Sequence, residues 1–258
     1  MVNVPRSHPR YVSLMIRERL VEAFKEGIVV PEGLMAHGRG EAFDYILGEV
    51  THEMARKAVR AAAALLLISE KPVISVNGNS AALVGRELVE LAREVKAPLE
   101  VNLFYWSRSR VEKIGELLKS YGANEVLLPI DDAEEVPGLE SSRRLVNRRG
   151  IYRADTVFVA MEDGDRTEKL RRLGKHVVAV DLNPFSRTAR AATVTIVDNV
   201  VRALPELTGA VREMRSAGRE KIREVFESFD NERNLKEFIA TITQRLDRLA
   251  SYGEPLSD

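Results

Sequence analysis

The chain has 258 residues, enough for one large α/β domain or two smaller ones with a substantial buried core. Its 39 basic and 39 acidic side chains cancel, which argues against a global electrostatic attraction to nucleic acid or to an anionic membrane. Cysteine is absent, which excludes disulfide bonds, thiolate catalysis and cysteine-ligated zinc or iron–sulfur sites.

The ends and the composition predict a cytoplasmic protein. Residues 1–10 hold two prolines and two arginines and lack the apolar core of a signal peptide. The apolar, uncharged run over residues 61–69 is far shorter than the ~20 residues that span a bilayer. Charged residues make up 30% of the chain and Gln244 is its one glutamine, a composition found in thermophiles and also in ordinary Arg/Glu-rich proteins.

The first third of the sequence is predicted to be helical. Apolar residues with helical spacing predict an amphipathic helix over residues 12–26. Residues 33–40 read as a glycine-punctuated loop, followed by a helix from about residue 41. Residues 51–69 continue as helix.

Strands and helices alternate through the centre of the chain. Short β-branched runs predict six strands, at residues 73–76, 99–104, 125–128, 156–160, 177–180 and 193–197. Helices are predicted at residues 81–95, 110–121 and 167–173, with an acidic loop at 131–138 and a short basic helix at 139–149. Such alternation predicts an α/β fold: a Rossmann-like, doubly wound, mostly parallel sheet.

The chain divides into three predicted segments. Residues 1–69 form an N-terminal helical segment that contributes to the active site, and residues 70–201 form the Rossmann-like core. Residues 202–258 form a C-terminal helical segment, whose Phe and Leu stripes suit either the core or a dimer interface.

A polar turn follows the first predicted strand. Asn77, Gly78, Asn79 and Ser80 stand where backbone N–H groups at a helix start attract phosphate. The alternative is that Asn79 or Ser80 only caps the helix. The chain has neither the G-x-G-x-x-G fingerprint nor a G-x-x-x-x-G-K-[ST] loop, which argues against a standard dehydrogenase or phosphate-loop ATPase.

Arg39 lies between two glycines in the sequence His37-Gly38-Arg39-Gly40. A guanidinium binds phosphate with two parallel hydrogen bonds, and flanking glycines let a ligand approach the backbone. A solvated surface loop is the competing interpretation. His37 and His52 are candidates for a general base, although a lone histidine is more often structural and neither has a recognisable partner in the sequence.

The stretch over residues 177–200 pairs two predicted strands with polar residues at their ends. Asp181 ends a strand where a carboxylate commonly meets ribose hydroxyls, and the Asn183 amide suits an adenine edge. Arg187 and Thr188 are candidates for ribose or phosphate contacts. Ordinary turn residues remain the alternative.

Acidic residues give no diagnostic metal site. Asp131, Asp132, Glu134 and Glu135 suit either magnesium or a solvated loop. Asp163 and Asp165, at the end of the fourth strand, are better placed. The metal ligands stay open.

Several long blocks resemble one known family over nearly the whole chain. The blocks are SHPRYVSLMIRERL, PEGLMAHGRGEAFDYILGE, VISVNGNSAALV, LEVNLFYWSRSRVEKI and VVAVDLNPFSRTARAATVTIVDNVVRA. They resemble the archaeal phosphopantothenate synthetases, or 4-phosphopantoate–β-alanine ligases, of coenzyme A biosynthesis.

This resemblance implies a homodimeric, Mg²⁺-dependent ligase that joins 4-phosphopantoate to β-alanine and converts ATP to AMP and pyrophosphate through an acyl-adenylate. The ATP contacts that it implies are Arg17, Arg39, Asp181, Leu182, Asn183, Arg187, Thr188, Asn199 and Val200. For the phosphate of phosphopantoate we predict Asn77, Gly78, Asn79 and Ser80, assisted by Arg108 or Arg110. The alternatives are an adenine-nucleotide-binding oxidoreductase and a non-catalytic ATP-binding module.

Overall fold

The structure, a computed structural model, describes residues 4–251. Its strands are β1 (Pro72–Val76), β2 (Leu99–Val101), β3 (Val126–Leu127), β4 (Ala133–Glu135), β5 (Leu145–Asn147), β6 (Thr156–Ala160), β7 (His176–Val180) and β8 (Val194–Ile196). Its α-helices are α1 (Tyr11–Lys25), α2 (Pro31–Leu47), α3 (Glu53–Ile68), α4 (Gly78–Val95), α5 (Arg108–Ser120), α6 (Gly164–Arg172), α7 (Arg187–Ala191), α8 (Val200–Met214), α9 (Arg219–Glu227) and α10 (Asn231–Ala250).

Six strands form one parallel sheet in the order β3-β2-β1-β6-β7-β8. When the six strands of this sheet are renumbered 1 to 6 in chain order, leaving out β4 and β5, the order is 3-2-1-4-5-6, that of the Rossmann fold. The order reverses between β1 and β6, where Ile74 pairs with Phe158. The predicted α/β, mostly parallel sheet with added terminal helices is confirmed.

Both faces of the sheet are buried, which explains why its strands are nearly continuous apolar runs. Phe158 and Ala160 of β6 join the large core cluster beneath α3, α4, α5 and α8. Val157 and Val159 point to the other face, with Leu170 of α6. The large cluster draws on all three predicted segments, and their division into domains stays a prediction.

The predicted loop over residues 33–40 is wrong, because this stretch lies inside α2. Pro31 occupies the first turn of the helix, where its fixed φ suits helical geometry. Gly48, at φ 86°, ends it. The loop was predicted because the stretch contains three glycines. Polar contacts from neighbouring elements nevertheless stabilise the helix.

The predicted helix at residues 139–149 is also wrong. The chain forms a 3₁₀ turn (Ser142–Arg144), then β5, then a π-helical turn (Arg148–Tyr152). Two buried side chains of the sheet capture its backbone: Asn102 Nδ2 donates to Leu145 O at 2.9 Å, and Glu100 accepts from Asn147 N at 2.9 Å. These tertiary hydrogen bonds replace those of a helix, and β5 pairs with β4 in the predicted acidic loop.

Candidate active site

The carboxyl ends of the sheet strands bring polar residues to one edge. Asn77 follows β1, Glu162 and Asp163 follow β6, and Asp181 follows β7. In an open α/β sheet, ligands bind outside this edge, near the point where strand order reverses. Two neighbouring cavities lie there.

The first, which we call the β7 cavity, has a volume of about 460 Å³. Helix α2 forms one wall, and the ends of β6, β7 and β8 form the others. Of the predicted site residues, the cavity collects His37, Arg39, Asp181, Leu182, Asn183, Arg187, Thr188, Asn199 and Val200. The structure therefore brings together eight of the nine residues predicted to contact ATP.

The turn after β7 is shaped by its own side chains. Asp181 Oδ1 accepts from Asn183 N at 2.9 Å, and its Oδ2 accepts from the Ser186 hydroxyl. Burial raises the pKa of the Asp181 carboxyl above its ordinary value, against these hydrogen bonds. Asn183 Oδ1 in turn accepts from Phe185 N at 2.9 Å. The turn is thus fixed without a ligand.

Arg187 and Thr188 begin the short helix α7. Thr188 is buried, and its hydroxyl donates to Glu162 O at 3.0 Å, which ties β7's connection to the end of β6. Arg187 is half-exposed and pairs with Glu168 and Asp165 on α6. These contacts use three of its five N–H groups, and Arg187 also lines the β7 cavity.

A buried polar network fastens α2 to the start of α8. Asp44 of α2 accepts from Asn199 Nδ2 at 2.8 Å and from Arg202 Nη2 at 2.6 Å. Arg202 also bonds Asp198 at 2.8 Å, and Thr51 donates to the other Asp198 oxygen at 2.7 Å. The helix that carries Arg39 is therefore joined directly to Asn199 and Arg202.

Arg17 and His52 lie outside both cavities. Arg17 makes a two-pronged contact with Glu41 of α2, at 2.9 to 3.1 Å, and donates to the Tyr45 hydroxyl. His52 Nε2 lies 2.8 Å from Leu47 O, and its ring meets Phe238 edge-on. Arg17 thus contacts the helix that carries Arg39 without lining either cavity, and His52 belongs to the packing of α3 against α10.

The second cavity, which we call the β1 cavity, has a volume of about 230 Å³. It is lined by Asn77, Gly78 and Asn79 at the start of α4, and by Arg110 and Arg143. Asn77 and Ser80 form a reciprocal capping box, so the side chain of Asn77 is committed to the helix. Gly78 is required here, since a Cβ would stand 2.4 Å from Ile28 O.

The other predicted substrate residues are placed differently. Ser80 is fully buried behind the helix start, and Arg108 is exposed and pairs with Glu112 at 2.9 Å. Arg110 lines the cavity but donates to Ile28 O at 2.9 Å and to Tyr105 O. Asn77 and Asn79 are thus the partly exposed residues of the predicted turn, whereas Gly78 is buried, and Asn79 Nδ2 donates to Gly33 O at 2.8 Å.

The two cavities share one set of residues, which we call the junction: Ala36, His37, Arg39, Met161, Glu162 and Asp163. No hydrogen bond or ion pair engages the Arg39 guanidinium within residues 4–251. Met161 has φ 54°, an uncommon value for a non-glycine residue, at the point where β6 ends. A ligand spanning both cavities must pass this set.

A buried charge cluster supports the junction. Glu162 is bonded to Arg143, at 2.9 Å, and to Arg166, whose side chain is fully buried. Arg143 Nε also lies 2.9 Å from Asp163 Oδ2. Sequence patterns did not indicate Arg143, Glu162 or Arg166 as site residues, because each looks like an ordinary surface charge.

A third cavity, about 570 Å³, lies at the amino ends of β2 and β3. Arg93, Lys96, Arg149 and Arg153 contribute to its walls. It exceeds the other two in volume, but it lies at the sheet edge where α/β folds do not bind ligands, and no predicted site residue lines it.

Comparison with known proteins identifies the family. The family model described as phosphopantothenate/pantothenate synthetase matches residues 54–245. The chain belongs to this family. The match covers β1 to β8 and most of the site, including the junction residues Met161, Glu162 and Asp163.

Members of the synthetase family align over nearly the full length. Proteins from Thermococcus onnurineus and Thermococcus kodakarensis are each 51% identical over 253 residues, covering 98% of this chain and 97% of their own. A protein from Methanosarcina mazei is 47% identical, covering 97% and 98%. All three carry the name 4-phosphopantoate–β-alanine ligase. The predicted family, its ligase class and its archaeal relatives are confirmed.

Proposed function

We propose that this protein condenses 4-phosphopantoate with β-alanine, converts ATP to AMP and pyrophosphate through an acyl-adenylate, and serves coenzyme A biosynthesis. The family supports the overall reaction. The observation that carries the mechanism is the junction: two ligand-sized cavities meet at a histidine, two carboxylates and an arginine that has no ion pair within residues 4–251. A two-substrate condensation needs such a meeting point.

We propose that ATP occupies the β7 cavity. Asp181, Leu182, Asn183, Asn199 and Val200 then surround adenosine, and Arg187 and Thr188 lie towards the ribose and phosphates. Arg39 is placed to neutralise the phosphates, because it lines both cavities and its guanidinium has no hydrogen bond or ion pair within residues 4–251. Arg17 supports this arrangement through Glu41, two residues along α2 from Arg39.

Phosphopantoate fits the β1 cavity. The N–H groups of Gly78 and Asn79 stand in the first turn of α4, where a helix leaves its donors without intrahelical partners. Arg110 and Arg143 add positive charge to the same cavity. With its phosphate held there, the substrate's carboxylate points to the junction.

The chemistry then needs no protein nucleophile. A carboxylate oxygen of phosphopantoate attacks the α-phosphorus of ATP, and pyrophosphate leaves with the bonding pair. The amine of β-alanine attacks the acyl carbon of the adenylate, the bond to AMP breaks, and the nitrogen loses two protons in all. His37 is placed to accept a proton, since burial lowers its pKa below the ordinary value and keeps the imidazole neutral at neutral pH.

Magnesium fits this site as an ion that enters with ATP. Within residues 4–251 no group of three or more His, Asp or Glu side chains is arranged to hold a metal. Mg²⁺ commonly keeps few protein ligands and binds through substrate phosphates. When bound, Mg²⁺ neutralises phosphate charge. The protein contributes to this neutralisation through Arg39 and the first-turn amides of α4.

We further propose that the protein is a cytoplasmic homodimer whose partners are these small molecules, with neither nucleic acid nor membrane among them. A formal net charge of zero supports the lack of a nucleic-acid partner. In the described part of the chain, no helix is long and apolar enough to span a membrane. Exposed Val12, Phe24 and Met35 on α1 and α2 offer apolar surface for a second copy.

The reaction is tested by incubating the protein with ATP, Mg²⁺, 4-phosphopantoate and β-alanine. We expect AMP and pyrophosphate in equal amounts, each matched by one 4-phosphopantothenate. Formation of ADP would retain a ligase but discard the adenylate. Binding of ATP without turnover would indicate a nucleotide-binding module, and reduction of a bound nicotinamide would indicate an oxidoreductase.

A further inference from the structure

Asp163 is the more accessible of the two junction carboxylates, and its Oδ2 atom is buried without a hydrogen bond from residues 4–251. Its side chain is 26% exposed, whereas that of Glu162 is 2% exposed and enclosed by Arg143 and Arg166. Both residues line both cavities. A cation brought to the meeting point of the cavities therefore meets Asp163.

The other acidic residues of the cavities are committed elsewhere. Asp181 bonds Ser186 and Asn183 within its own turn. Asp198 lines the β7 cavity but is buried and held by Arg202 and Thr51. Glu32 lines only the β1 cavity, away from the β7 cavity. Of the two acidic residues that line both cavities, Glu162 and Asp163, only Asp163 has a partly exposed side chain.

Its neighbours fix the direction and the charge of the Asp163 carboxylate. Oδ1 accepts from Arg166 N at 2.8 Å as the N-cap of α6, and Oδ2 lies 2.9 Å from Arg143 Nε. Burial opposes ionisation, but the hydrogen bond with Glu162 and the charge of Arg143 outweigh it and hold the pKa of Asp163 below its ordinary value. The group is ionised at neutral pH.

We propose that Asp163 binds the ammonium group of the amino-acid substrate, β-alanine, and holds its nitrogen beside the acyl carbon of the adenylate. This proposal rests on the proposed function. An ammonium carries its charge into a junction where Arg39 is already cationic, so a carboxylate must offset that repulsion. The amine then loses its proton in place and attacks without crossing either cavity.

Asp163→Asn tests the proposal with little change of shape, because asparagine also caps a helix. We expect the KM for β-alanine to rise by at least about tenfold, the effect of losing one charged hydrogen bond. Exchange of labelled pyrophosphate into ATP, which needs phosphopantoate but not β-alanine, should stay within about twofold of wild type. Serine is also a good helix cap, so Asp163→Ser should likewise raise the KM for β-alanine and leave pyrophosphate exchange nearly unchanged.

A neutral nucleophile isolates the role of charge. Hydroxylamine is uncharged at neutral pH and captures acyl-adenylates as hydroxamates, so Asp163→Asn should form hydroxamate at close to the wild-type rate. Asp230→Asn is the matched control: Asp230 caps α10 in the same way, accepting from Arg233 N, and lies outside both cavities. It should leave every readout unchanged.

The outcomes separate the two proposals. If wild-type protein catalyses no pyrophosphate exchange, the adenylate mechanism itself is wrong. If exchange occurs and Asp163→Asn leaves the KM for β-alanine unaltered, the ammonium site is elsewhere. Loss of exchange in a folded Asp163→Asn would overturn the assignment too, since the carboxylate would then serve ATP or Mg²⁺.

Discussion

At the scale of single residues, the site combines side chains that are fixed with side chains that are left without partners. Asp181, Asn183 and Glu162 are all held by hydrogen bonds or ion pairs within the chain. The His37 Nε2 atom, in contrast, is buried and has no partner among the described residues. A buried unpaired nitrogen costs stability, so its presence at the junction points to a partner that arrives with the substrates.

Removal of His37 should change how the rate depends on pH. Because burial lowers its pKa below 6.5, His37 is neutral at pH 7 and becomes protonated as the pH falls. We expect His37→Asn to lose about 10²-fold in kcat at pH 7.5. The wild-type advantage should shrink as pH falls, because the protonated imidazole no longer accepts a proton.

His52→Asn is the control for this measurement. His52 lies outside both cavities and contacts Leu47 O. Its ratio to wild type should be independent of pH. If both variants retain the wild-type profile, solvent removes the protons and neither histidine is the base.

At the scale of elements, α2 is the part of the site whose position depends most on polar contacts. Its buried residues are Glu41, Asp44 and Leu47, of which two are charged. Glu41 binds Arg17 of α1, and Asp44 binds Arg202 of α8. The helix that carries His37 and Arg39 is thus held from both sides by ion pairs.

Loss of the Asp44 contact should therefore weaken ATP binding more than it slows chemistry. In Asp44→Asn, Arg202 keeps Asp198 but loses its ion pair with residue 44, and Asn199 Nδ2 faces an amide in place of a carboxylate. We expect the KM for ATP to rise by about tenfold with kcat within about threefold, and a loss of about 1–3 kcal/mol in stability. Steady-state kinetics and denaturant unfolding measure the two effects.

Glu213→Gln provides the comparison. Glu213 is an exposed residue of α8 that pairs with Arg60 at 3.3 Å, away from both cavities. Its loss should change the KM for ATP and the stability little, as for other surface ion pairs. Equal KM values for ATP in Asp44→Asn and wild type would show that the network does not position the nucleotide wall.

At the scale of the whole molecule, a buried carboxylate joins the sheet to the segment that covers it. Glu100 of β2 is fully buried and accepts from Asn147 N at 2.9 Å and Ile151 N at 2.6 Å. Gly150 is needed beside it, since a Cβ there would collide with Glu100 Oε2. The same segment carries Arg143, so Glu100 links the core to the junction.

This arrangement predicts a dependence of stability on pH. Burial raises the pKa of Glu100 from its ordinary 4.5 to about 7, so the folded state holds the proton more tightly than the unfolded chain. The stabilisation is complete below pH 4.5 and is lost as the pH rises through 7. Glu100→Gln removes this group, so the substitution should destabilise the protein more at pH 5 than at pH 8. The two losses of stability should differ by about 3 kcal/mol.

Denaturant unfolding of both proteins at pH 5 and pH 8 measures this difference. Comparing each with its own variant removes the contribution of other titrating groups, because they occur in both. Asp247→Asn, a change on α10 distant from β2, should give the same difference from wild type at both pH values. A pH-independent effect of Glu100→Gln would mean that Glu100 stays ionised throughout.

The sequence by itself determined the class of fold and the family. β-branched runs alternating with amphipathic segments predict a parallel sheet, because a strand buried on both faces must be apolar throughout. Asn77, Asp181 and Asn199 could be recognised as site candidates because each polar residue follows an apolar, β-branched run. The family rested on long contiguous blocks, which local patterns alone did not supply.

Only the tertiary structure decided which polar residues meet. It turned residues 33–40 into a helix held by Arg17 and Arg202, and residues 139–149 into a covering segment held by Glu100 and Asn102. It also brought Asp163 and Arg143, 20 positions apart in sequence, to 2.9 Å. Such contacts join residues distant in sequence and leave no periodic pattern, so the junction became visible only when the chain was folded.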